Sequence, residues 1–294
     1  MRFLKKMTLD VSWVFLSQVL TLGSGFVLSL FIGRWLGPAY FGVYMLAITI
    51  YSIASLLAGI GIPTAVVKYI AESRDSPERM HSIATSSTIN SVVIASVFAT
   101  AVFLGAETMA GLFHMPDLSS PIRLLALAIP IFVVNSTLLG LLNGLQEMHL
   151  FAFRSIFRSI LIVGTTLGFV WLGLGIRGAI LAQVVTEFVL FIFMIAAIRA
   201  RFTMNFSAYR RITGELTVFG LQLLVVNTIW LLTTYADTLL IGYFLTDADV
   251  GIYSIAVAIA KTGFITLPGA ISLVTYPMIA NNHSRGLREE NEWL

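Results

Sequence analysis

Long apolar runs, separated by short polar segments, dominate the chain. A helix needs about 20 mostly apolar residues to cross the hydrocarbon core of a bilayer. Five runs contain no charged residue, and three further runs contain one each. The uncharged runs are 11–33, 37–67, 85–106, 124–146 and 159–176, and the others are 178–198 with Glu187, 216–245 with Asp237 and 250–280 with Lys261. The pattern predicts an all-α polytopic membrane protein with about eight transmembrane helices.

The segments between these runs contain residues that favour turns over a continuing helix. Gly37-Pro38 separates the first two runs, Pro77 lies between the second and third, and Pro116 lies between the third and fourth. Gly175 separates the fifth from the sixth, and Thr246-Asp247 lies between the seventh and eighth. Proline and glycine end or restart helices because of their restricted or permissive backbones. Consecutive runs are therefore expected to be separate spans.

Composition excludes most enzyme classes. Apolar residues make up 57% of the chain and charged residues 11%, whereas charged residues make up about 25% of a typical soluble domain. The chain has no cysteine, and its four histidines fall in separate predicted loops. No nucleotide-binding glycine loop and no pair of carboxylates typical of a glycosidase is found. We therefore predict a protein that is not an enzyme, needs no cofactor and binds no nucleic acid.

Basic residues predict the orientation, because cytoplasmic loops of membrane proteins are enriched in Lys and Arg. If the N-terminus is cytoplasmic, fourteen basic residues fall inside and three, Arg34, Arg123 and Arg177, fall outside, with Lys261 within a span. This predicts a multi-pass protein of the cytoplasmic membrane with both termini inside. The first run is too long for a signal peptide and is expected to be retained. The inside set is Arg2, Lys5, Lys6, Lys68, Arg74, Arg79, Arg154, Arg158, Arg199, Arg201, Arg210, Arg211, Arg285 and Arg288.

The turn between spans one and two recurs between spans seven and eight. Residues 32–47 read IGRWLGPAYFGVYMLA and residues 241–256 read IGYFLTDADVGIYSIA, with seven identities in sixteen ungapped columns. The repeats are six spans apart, so they have the same orientation and an axis along the membrane normal should relate them. We predict a six-helix lobe over residues 1–213 and the first two helices of a second, parallel-repeat lobe over 214–294.

These turns resemble a known family. Residues 35–44, WLGPAYFGVY, are similar to a glycine-rich turn of polysaccharide and oligosaccharide-lipid flippases, in the multidrug/oligosaccharidyl-lipid/polysaccharide exporter superfamily. Residues 237–242, DTLLIG, followed by Gly251-Ile252-Tyr253 resemble the same family's seventh and eighth spans, as do Gly61-Ile62-Pro63 and Gly178-Ala179. Family members have twelve to fourteen helices, so the resemblance implies a chain shortened after span eight.

The resemblance implies translocation of a lipid-linked oligosaccharide for polysaccharide biosynthesis or export. The expected partners are a glycan on a polyprenyl phosphate or diphosphate carrier and membrane lipids, and glycan-assembly enzymes are further candidates. The polar head of such a molecule loses its water in lipid and needs a polar cavity. Two alternatives stay open, namely a cation-coupled drug or organic-cation antiporter of the same superfamily and a non-transporting scaffold for glycan-assembly enzymes.

Charged residues within the spans are the candidate binding residues, because such charges are costly in lipid and usually face a cavity or a partner. Lys261 is a candidate phosphate ligand, and the alternative is an ion pair with Asp237. Glu187, with Gln183 one turn earlier, could bind a coupling cation, although a buried interhelical hydrogen bond explains it better.

Four arginines at helix ends are weaker candidates for a binding role. Arg34 and Arg123 could line the outer mouth of a cavity, although simple snorkelling explains them better. Arg154 and Arg158, at the inner end of span five, are expected to contribute to the inside charge, and attraction of anionic lipid heads is the alternative.

The first prediction concerns topology. Reporter domains such as alkaline phosphatase, fused after His114 and after Arg201, should report the outer and the cytoplasmic side respectively, because the basic residues place these loops on opposite sides. Reporters that give the same side at both positions would refute the predicted number of spans.

Overall fold

The protein is described from a computed structural model that covers residues 2–199 and 201–260, with side chains described at 13 and from 15 onward. The described residues form helices and no strand, which confirms the all-α fold class. A 3-10 turn, Pro116–Leu118, precedes α4, and a π-helical turn, Val170–Leu174, precedes α7. The helices are α1 (Arg2–Gly59), α2 (Ile62–Glu72), α3 (Pro77–Leu112), α4 (Ser119–Ala126), α5 (Ala128–Gly144), α6 (Met148–Phe169), α7 (Gly175–Ile198), α8 (Tyr209–Phe244) and α9 (Asp247–Ala260).

The chain reverses direction within α1. Gly37 has non-helical angles, with φ 81° and ψ 168°. Thr21 and Gly59 line the same cavity, although a straight helix would separate them by about 57 Å at 1.5 Å per residue. The residues before and after Gly37 are therefore two antiparallel arms, which correspond to predicted spans one and two. Glycine suits this position because its φ is positive.

A second reversal separates α6 from α7. Gly173 and Gly175 both have positive φ angles, and the hydroxyl of Thr165 on α6 lies 3.3 Å from that of Thr186 on α7. These helices correspond to predicted spans five and six. Gly175 was expected at this turn from the sequence.

Within the described residues, four helical stretches are long and apolar enough to cross a membrane, or five if α4 and α5, which meet at a 43° bend, form one span. Two of these stretches, Phe15–Gly59 and Met148–Ile198, contain the reversals, and each is long enough for two crossings. The total of eight stays a prediction, because the predicted span 250–280 lies largely outside the described residues.

The two repeat turns, 32–47 and 241–256, pack against each other through glycine. A Cβ added at Gly42 would overlap the carbonyl oxygen of Asp247, and one added at Gly251 would overlap the carbonyl oxygen of Pro38. The alignment of the repeats, offset by 209 residues, pairs Gly42 with Gly251 and Pro38 with Asp247. The contact is therefore reciprocal, as at a two-fold interface between identical surfaces.

A second pair of contacts follows the same relation. A Cβ at Gly33 would lie 3.0 Å from Cδ1 of Ile255, and a Cβ at Gly242 would lie 3.1 Å from both terminal carbons of Leu46. The offset pairs Gly33 with Gly242 and Leu46 with Ile255. The sequence repeat thus coincides with a local two-fold arrangement of the two turns. The division at residues 213 and 214 stays a prediction.

A capping box begins α9. The backbone N–H of Thr246 and its hydroxyl donate to Oδ2 of Asp249, at 3.0 and 2.7 Å, and the N–H of Asp249 donates to the Thr246 hydroxyl at 3.3 Å. Reciprocal bonds of this kind satisfy the free N–H groups of a first helical turn. The hydrogen bond from the Thr246 hydroxyl, with that from its N–H, lowers the pKa of Asp249 below its usual value.

The segment between α7 and α8 is hydrogen-bonded to α3. The N–H of Asn205 donates to the hydroxyl of Thr85 at 2.9 Å. Asn90 donates to the hydroxyl of Thr213 at 3.1 Å and accepts a hydrogen bond from the hydroxyl of Tyr209 at 2.8 Å. Asn90 therefore connects the start of α8 to α3 through hydrogen bonds, as expected for a polar residue between helices. Only 17% of the most apolar window of α8 is buried within the described residues.

The second prediction concerns Gly42. Gly42→Ala should destabilise the protein by about 1–3 kcal/mol, because its Cβ overlaps backbone that cannot rotate away. Gly111→Ala is the matched control, since nothing lies within 4 Å of its added Cβ and alanine favours a helix by up to about 1 kcal/mol over glycine. Thermal unfolding in detergent should show a lower Tm for the first variant and an unchanged or higher Tm for the second. Equal shifts would mean that the repeat turns do not touch.

Candidate functional site: a polar cavity between helices

A cavity of about 730 Å³ lies between the arms of α1, the start of α2, the helices α5, α6 and α7, and the facing side of α8. More than half of its lining residues have polar side chains, although apolar atoms supply most of the wall. A polar space within apolar helices is where a membrane protein can hold a polar ligand away from lipid. The polar lining consists of Thr21, Ser24, Tyr44, Tyr51, Ser52, Ser55, Thr64, Ser136, Arg154, Ser155, Arg158, Gln183, Asn227 and Tyr235.

Glu187 on α7 lies behind this wall and is fully buried. Its Oε1 accepts hydrogen bonds from Nε of Arg158 at 3.1 Å and Nε2 of Gln183 at 3.4 Å. Its Oε2 accepts one from Nδ2 of Asn135 at 3.0 Å. Both carboxylate oxygens are therefore satisfied, and one cation compensates the charge, as a buried carboxylate requires. The network joins α5, α6 and α7.

Arg154 lies one helical turn before Arg158 and is 8% exposed. It lines the cavity, and its Nε has no hydrogen-bond partner among the described residues. No salt bridge to Arg154 forms within the same residues, whereas Arg158 pairs with Glu187. Two guanidinium groups thus face one carboxylate, and the described part of the site carries an excess of one positive charge. A buried guanidinium with free donors suits an anion such as phosphate.

The rest of the wall offers hydroxyl groups and aromatic rings. Tyr44 and Tyr51 face the space from the second arm of α1, and Asn227, Trp230 and Tyr235 face it from α8. Hydroxyl and amide groups both donate and accept hydrogen bonds, and tyrosine and tryptophan combine an apolar face with a polar group. No group of three or more metal-ligating side chains lies together within the described residues. The wall therefore suits a ligand that has an uncharged, hydroxyl-rich part and one anionic group.

The structure brings two of the candidate residues from the sequence together at this site. Gln183 lines the cavity and donates to Glu187 directly behind it. Asn135 hydrogen-bonds to the side chain and the backbone carbonyl of Glu187, so this carboxylate takes part in contacts between helices. Whether Gln183 or Glu187 contacts a substrate stays a prediction.

The other candidates lie elsewhere. Asp237 accepts hydrogen bonds from the hydroxyl of Tyr253 and the N–H of Thr238 and does not line the cavity. Arg123 forms an exposed salt bridge with Glu107 at 2.6 Å. Arg34 is exposed three residues before Gly37. Lys261 lies outside the described residues, so its role as a phosphate ligand and its pairing with Asp237 both stay predictions.

The cavity position of Arg154 and Arg158 was not predicted, because both residues were assigned to the inside charge. The missed signal is the register of the hairpin formed by α6 and α7. Arg158 lies 15 residues before Gly173, and Glu187 lies 12 residues after Gly175, or about 22 and 18 Å along antiparallel helices. Opposite charges at similar depth on adjacent helices are expected to pair, because an unpaired charge is costly there.

The sequence of the chain matches a known protein family. The model of a family described as "Polysaccharide biosynthesis protein" matches residues 7–283, which is nearly the whole chain. The chain belongs to this polysaccharide biosynthesis protein family. The family match agrees with the resemblance found in the two repeat turns.

Individual family relatives are distant and longer. The chain is 27% identical over 267 residues to a Shigella flexneri protein named "Putative O-antigen transporter", which covers 85% of this chain and 61% of that protein. It is 26% identical over 136 residues to the lipid III flippase of Escherichia coli strain K12, which covers 46% and 33% respectively. The chain therefore spans less than two thirds of the length of these relatives.

One solved structure has the same fold as this protein. A MOP superfamily transporter from Pyrococcus furiosus superposes with a TM-score of 0.68 at 18% identity, and the match covers 90% of this chain and 63% of that one. At this identity, the likeness concerns the fold alone. This protein thus has the same helical fold as the Pyrococcus furiosus transporter, as the resemblance implied.

The third prediction concerns the buried ion pair. Arg158→Gln should destabilise the protein by about 3–5 kcal/mol, because it removes the one cation that is paired with the buried carboxylate of Glu187 among the described residues. Adding Glu187→Gln should recover part of this loss, since the unpaired charge is then removed. Arg123→Gln is the matched control and should cost less than about 1 kcal/mol, because its pair with Glu107 is exposed. Thermal unfolding of the variants measures the order of these losses in stability. Equal losses for Arg158→Gln and Arg123→Gln would contradict the burial of the first pair.

Proposed function

We propose that this protein translocates a lipid-linked oligosaccharide across the cytoplasmic membrane for polysaccharide biosynthesis or export. The observation that carries the proposal is the polar cavity with a buried Arg154, which has no ion-pair partner among the described residues, between helices that are apolar enough to span lipid. Sugar hydroxyls and phosphate would lose several kcal/mol per group in lipid without replacement partners. A cavity that offers hydroxyl, amide and guanidinium groups lowers this cost, and the lipid tail can stay in the bilayer.

In this proposal Arg154 binds the phosphate or diphosphate of the polyprenyl carrier. Arg158 is held by Glu187 at 3.1 Å and adds positive potential without giving up its partner. Gln183 and the hydroxyl groups of α1 contact the sugars, with Trp230 and Tyr235 of α8 on the other side. Lys261 is a second cation for the carrier phosphate, as the sequence suggests. Binding is expected to leave the Glu187 network intact, because Arg154 already has free donors.

The contact between the repeat turns suggests the state of the transporter. The turns meet at the predicted outer end of the spans, where Gly42 and Gly251 leave no room for a side chain. Along the second arm of α1, the lining runs from Tyr44 to Gly59, or about 9 to 31 Å from Pro38. The cavity thus extends from below the closed end towards the predicted cytoplasmic end. We infer a state that loads substrate from the cytoplasm, where both termini are proposed to lie.

The named relatives support the same substrate class. The Shigella flexneri protein is named for transport of O-antigen, and the Escherichia coli protein is named for flipping of lipid III. Both names describe movement of a molecule, O-antigen in one case and lipid III in the other, and not its synthesis. The protein is accordingly proposed to be a transporter without catalytic activity. Glycan-assembly enzymes that make the substrate are proposed partners in the membrane.

The charge of the cavity argues against cation transport. An organic-cation antiporter needs an acidic group that can face its substrate. The buried carboxylate of Glu187 is already paired with Arg158, and the described lining residues are cationic or neutral. An anionic substrate therefore fits the described site better. A scaffold would not need a polar space of about 730 Å³ within its helices, so transport is the stronger proposal.

The fourth prediction tests transport directly. Reconstituted protein should move a fluorescent polyprenyl diphosphate oligosaccharide between leaflets, measured by quenching of the dye on one side. Arg154→Gln should slow movement about tenfold or more, since a hydrogen bond to a charged group is worth about 1.5–3 kcal/mol. Lys261→Ala should also slow it, whereas Lys261→Arg should retain part of the rate because the charge survives.

Arg123→Gln is the control for this experiment, because Arg123 lies in an exposed salt bridge outside the cavity. It should transport at the rate of the unchanged protein. Movement of organic cations in place of the glycan lipid would favour the antiporter. Absence of any movement, with Tm unchanged, would favour the scaffold and overturn the proposal.

A further inference from the structure

A side groove of about 490 Å³ lies next to the polar cavity, between α2, α5, the start of α6 and α8. Most of its wall is apolar, with Leu139, Phe151, Phe219 and Leu223 among the lining residues. Lys68 on α2 is the one charged residue among those that line it. The groove is therefore amphipathic, with a long apolar wall and a single cation.

The groove and the polar cavity are continuous. Pro63, Thr64 and Ser136 line both spaces, so their side chains form the passage between the two. Thr64 and Lys68 are one helical turn apart and both exposed, which places them on one face of α2. The amino end of α2 also lies at the passage, and helix amino ends carry partial positive charge. An anion passing from Lys68 to the cavity thus meets favourable groups along its path.

Lys68 is held in place at the groove. Its Nζ lies 4.1 Å from the ring centroid of Phe219 and 5.2 Å from that of Tyr69. Cation–π contacts of this kind orient an ammonium group while they leave its other donors free. No salt bridge to Lys68 forms within the described residues, whereas Glu215 nearby on α8 pairs with Arg79 and Arg211. The ammonium is therefore held in position by the two rings, and it has no carboxylate partner among the described residues.

We propose that the groove is the lateral opening through which the polyprenyl phosphate carrier reaches the cavity from the predicted cytoplasmic leaflet. Lys68 binds the carrier phosphate at the opening, and the first isoprene units lie along the apolar wall formed by α5 and α8. The sugar head passes Thr64 and Ser136 into the polar cavity, while the rest of the tail stays in the bilayer. This assignment rests on the proposed function, and it adds Lys68 as a binding residue outside the cavity.

The chemistry of the groove favours this occupant over other anions or lipids. A free phosphate would use Lys68 but leave the apolar wall empty, and an uncharged polyprenol would use the wall but not Lys68. Only a phosphate joined to a long apolar chain uses both features at once. Continuity with the polar cavity further requires a ligand whose anionic end carries a polar group of substantial size.

The absence of cysteine in the sequence makes a labelling test direct. A single cysteine is introduced as Leu139→Cys in the groove, and a second protein carries Val97→Cys on α3, where the side chain is 65% exposed and outside the groove. Each protein is placed in phosphatidylcholine nanodiscs and labelled with a membrane-permeant maleimide. The probes are polyprenyl monophosphate, polyprenol, inorganic phosphate and phosphatidylglycerol.

Polyprenyl monophosphate should slow labelling at position 139 and leave labelling at position 97 unchanged. Lys68→Gln should raise the concentration needed for this protection about fivefold, since one lysine near a membrane surface attracts an anionic lipid by about 1 kcal/mol. Arg123→Gln should leave it unchanged. Equal protection by polyprenol or phosphatidylglycerol, or protection unaffected by Lys68→Gln, would overturn the proposal. Protection by inorganic phosphate alone would also overturn it.

The outcome is separable from that of the transport experiment. If the flippase proposal is right and the groove proposal is wrong, Lys68→Gln transports normally and position 139 is not protected. If the groove binds carrier but the chain does not translocate it, protection occurs with no movement between leaflets. A Lys68→Gln variant with unchanged Tm excludes loss of folding as the cause of either result.

Discussion

The close backbone contact between Gly42 and Gly251 is the constraint on which the arrangement of the molecule depends. In lipid there is little hydrophobic drive to bring helices together, so close packing and polar contacts must do so. Gly42 and Gly251 allow Pro38 and Asp247 to present carbonyl oxygens where any side chain would overlap. This contact fixes α9 against α1 and, through the capped turn at Thr246, also positions the end of α8. The cavity lies further along the molecule, between the arms of α1 and the facing side of α8.

A second constraint is the cost of charge among apolar helices. Glu187 is neutralised by Arg158 and held by Asn135 and Gln183, so one network satisfies the carboxylate and joins three helices. Glu187 pairs with Arg158, and Nε of Arg154 has no hydrogen-bond partner among the described residues. In the proposed function, a ligand phosphate binds Arg154 without breaking the network that joins α5, α6 and α7. The structural ion pair and the proposed binding cation are then separate residues, so a buried charge can be both tolerated and used.

The sequence predicted those features that depend on composition and local chemistry. Apolar runs identified the spans, Gly37 and Gly175 marked the reversals, and the repeat identified the two turns that are related by a two-fold arrangement. It did not predict which polar residues share the cavity, because that depends on helix rotation and on the register of hairpins. Arg154 and Arg158 look like inside charges in sequence, and only their depth opposite Glu187 indicates otherwise. The hydrogen bond that Asp237 accepts from Tyr253 likewise depends on how α8 and α9 pack, and the pairing of Asp237 with Lys261 stays a prediction.

Equivalent residues of the two repeats also differ in their contacts. Tyr44 and Tyr253 occupy the same repeat position, yet Tyr44 lines the cavity and Tyr253 donates to Asp237. The residue that corresponds to Asp237 in the first repeat is Leu28, which lines the cavity and offers Tyr44 no acceptor. In the proposed transporter, the symmetric contact at the turns is where two halves would move about one axis, as in transporters built from parallel repeats. Binding of the proposed substrate, with a charged end and a neutral end, requires an asymmetric wall. The contact between the turns thus keeps the glycine positions of the repeat, while the cavity wall departs from the repeat at its polar groups.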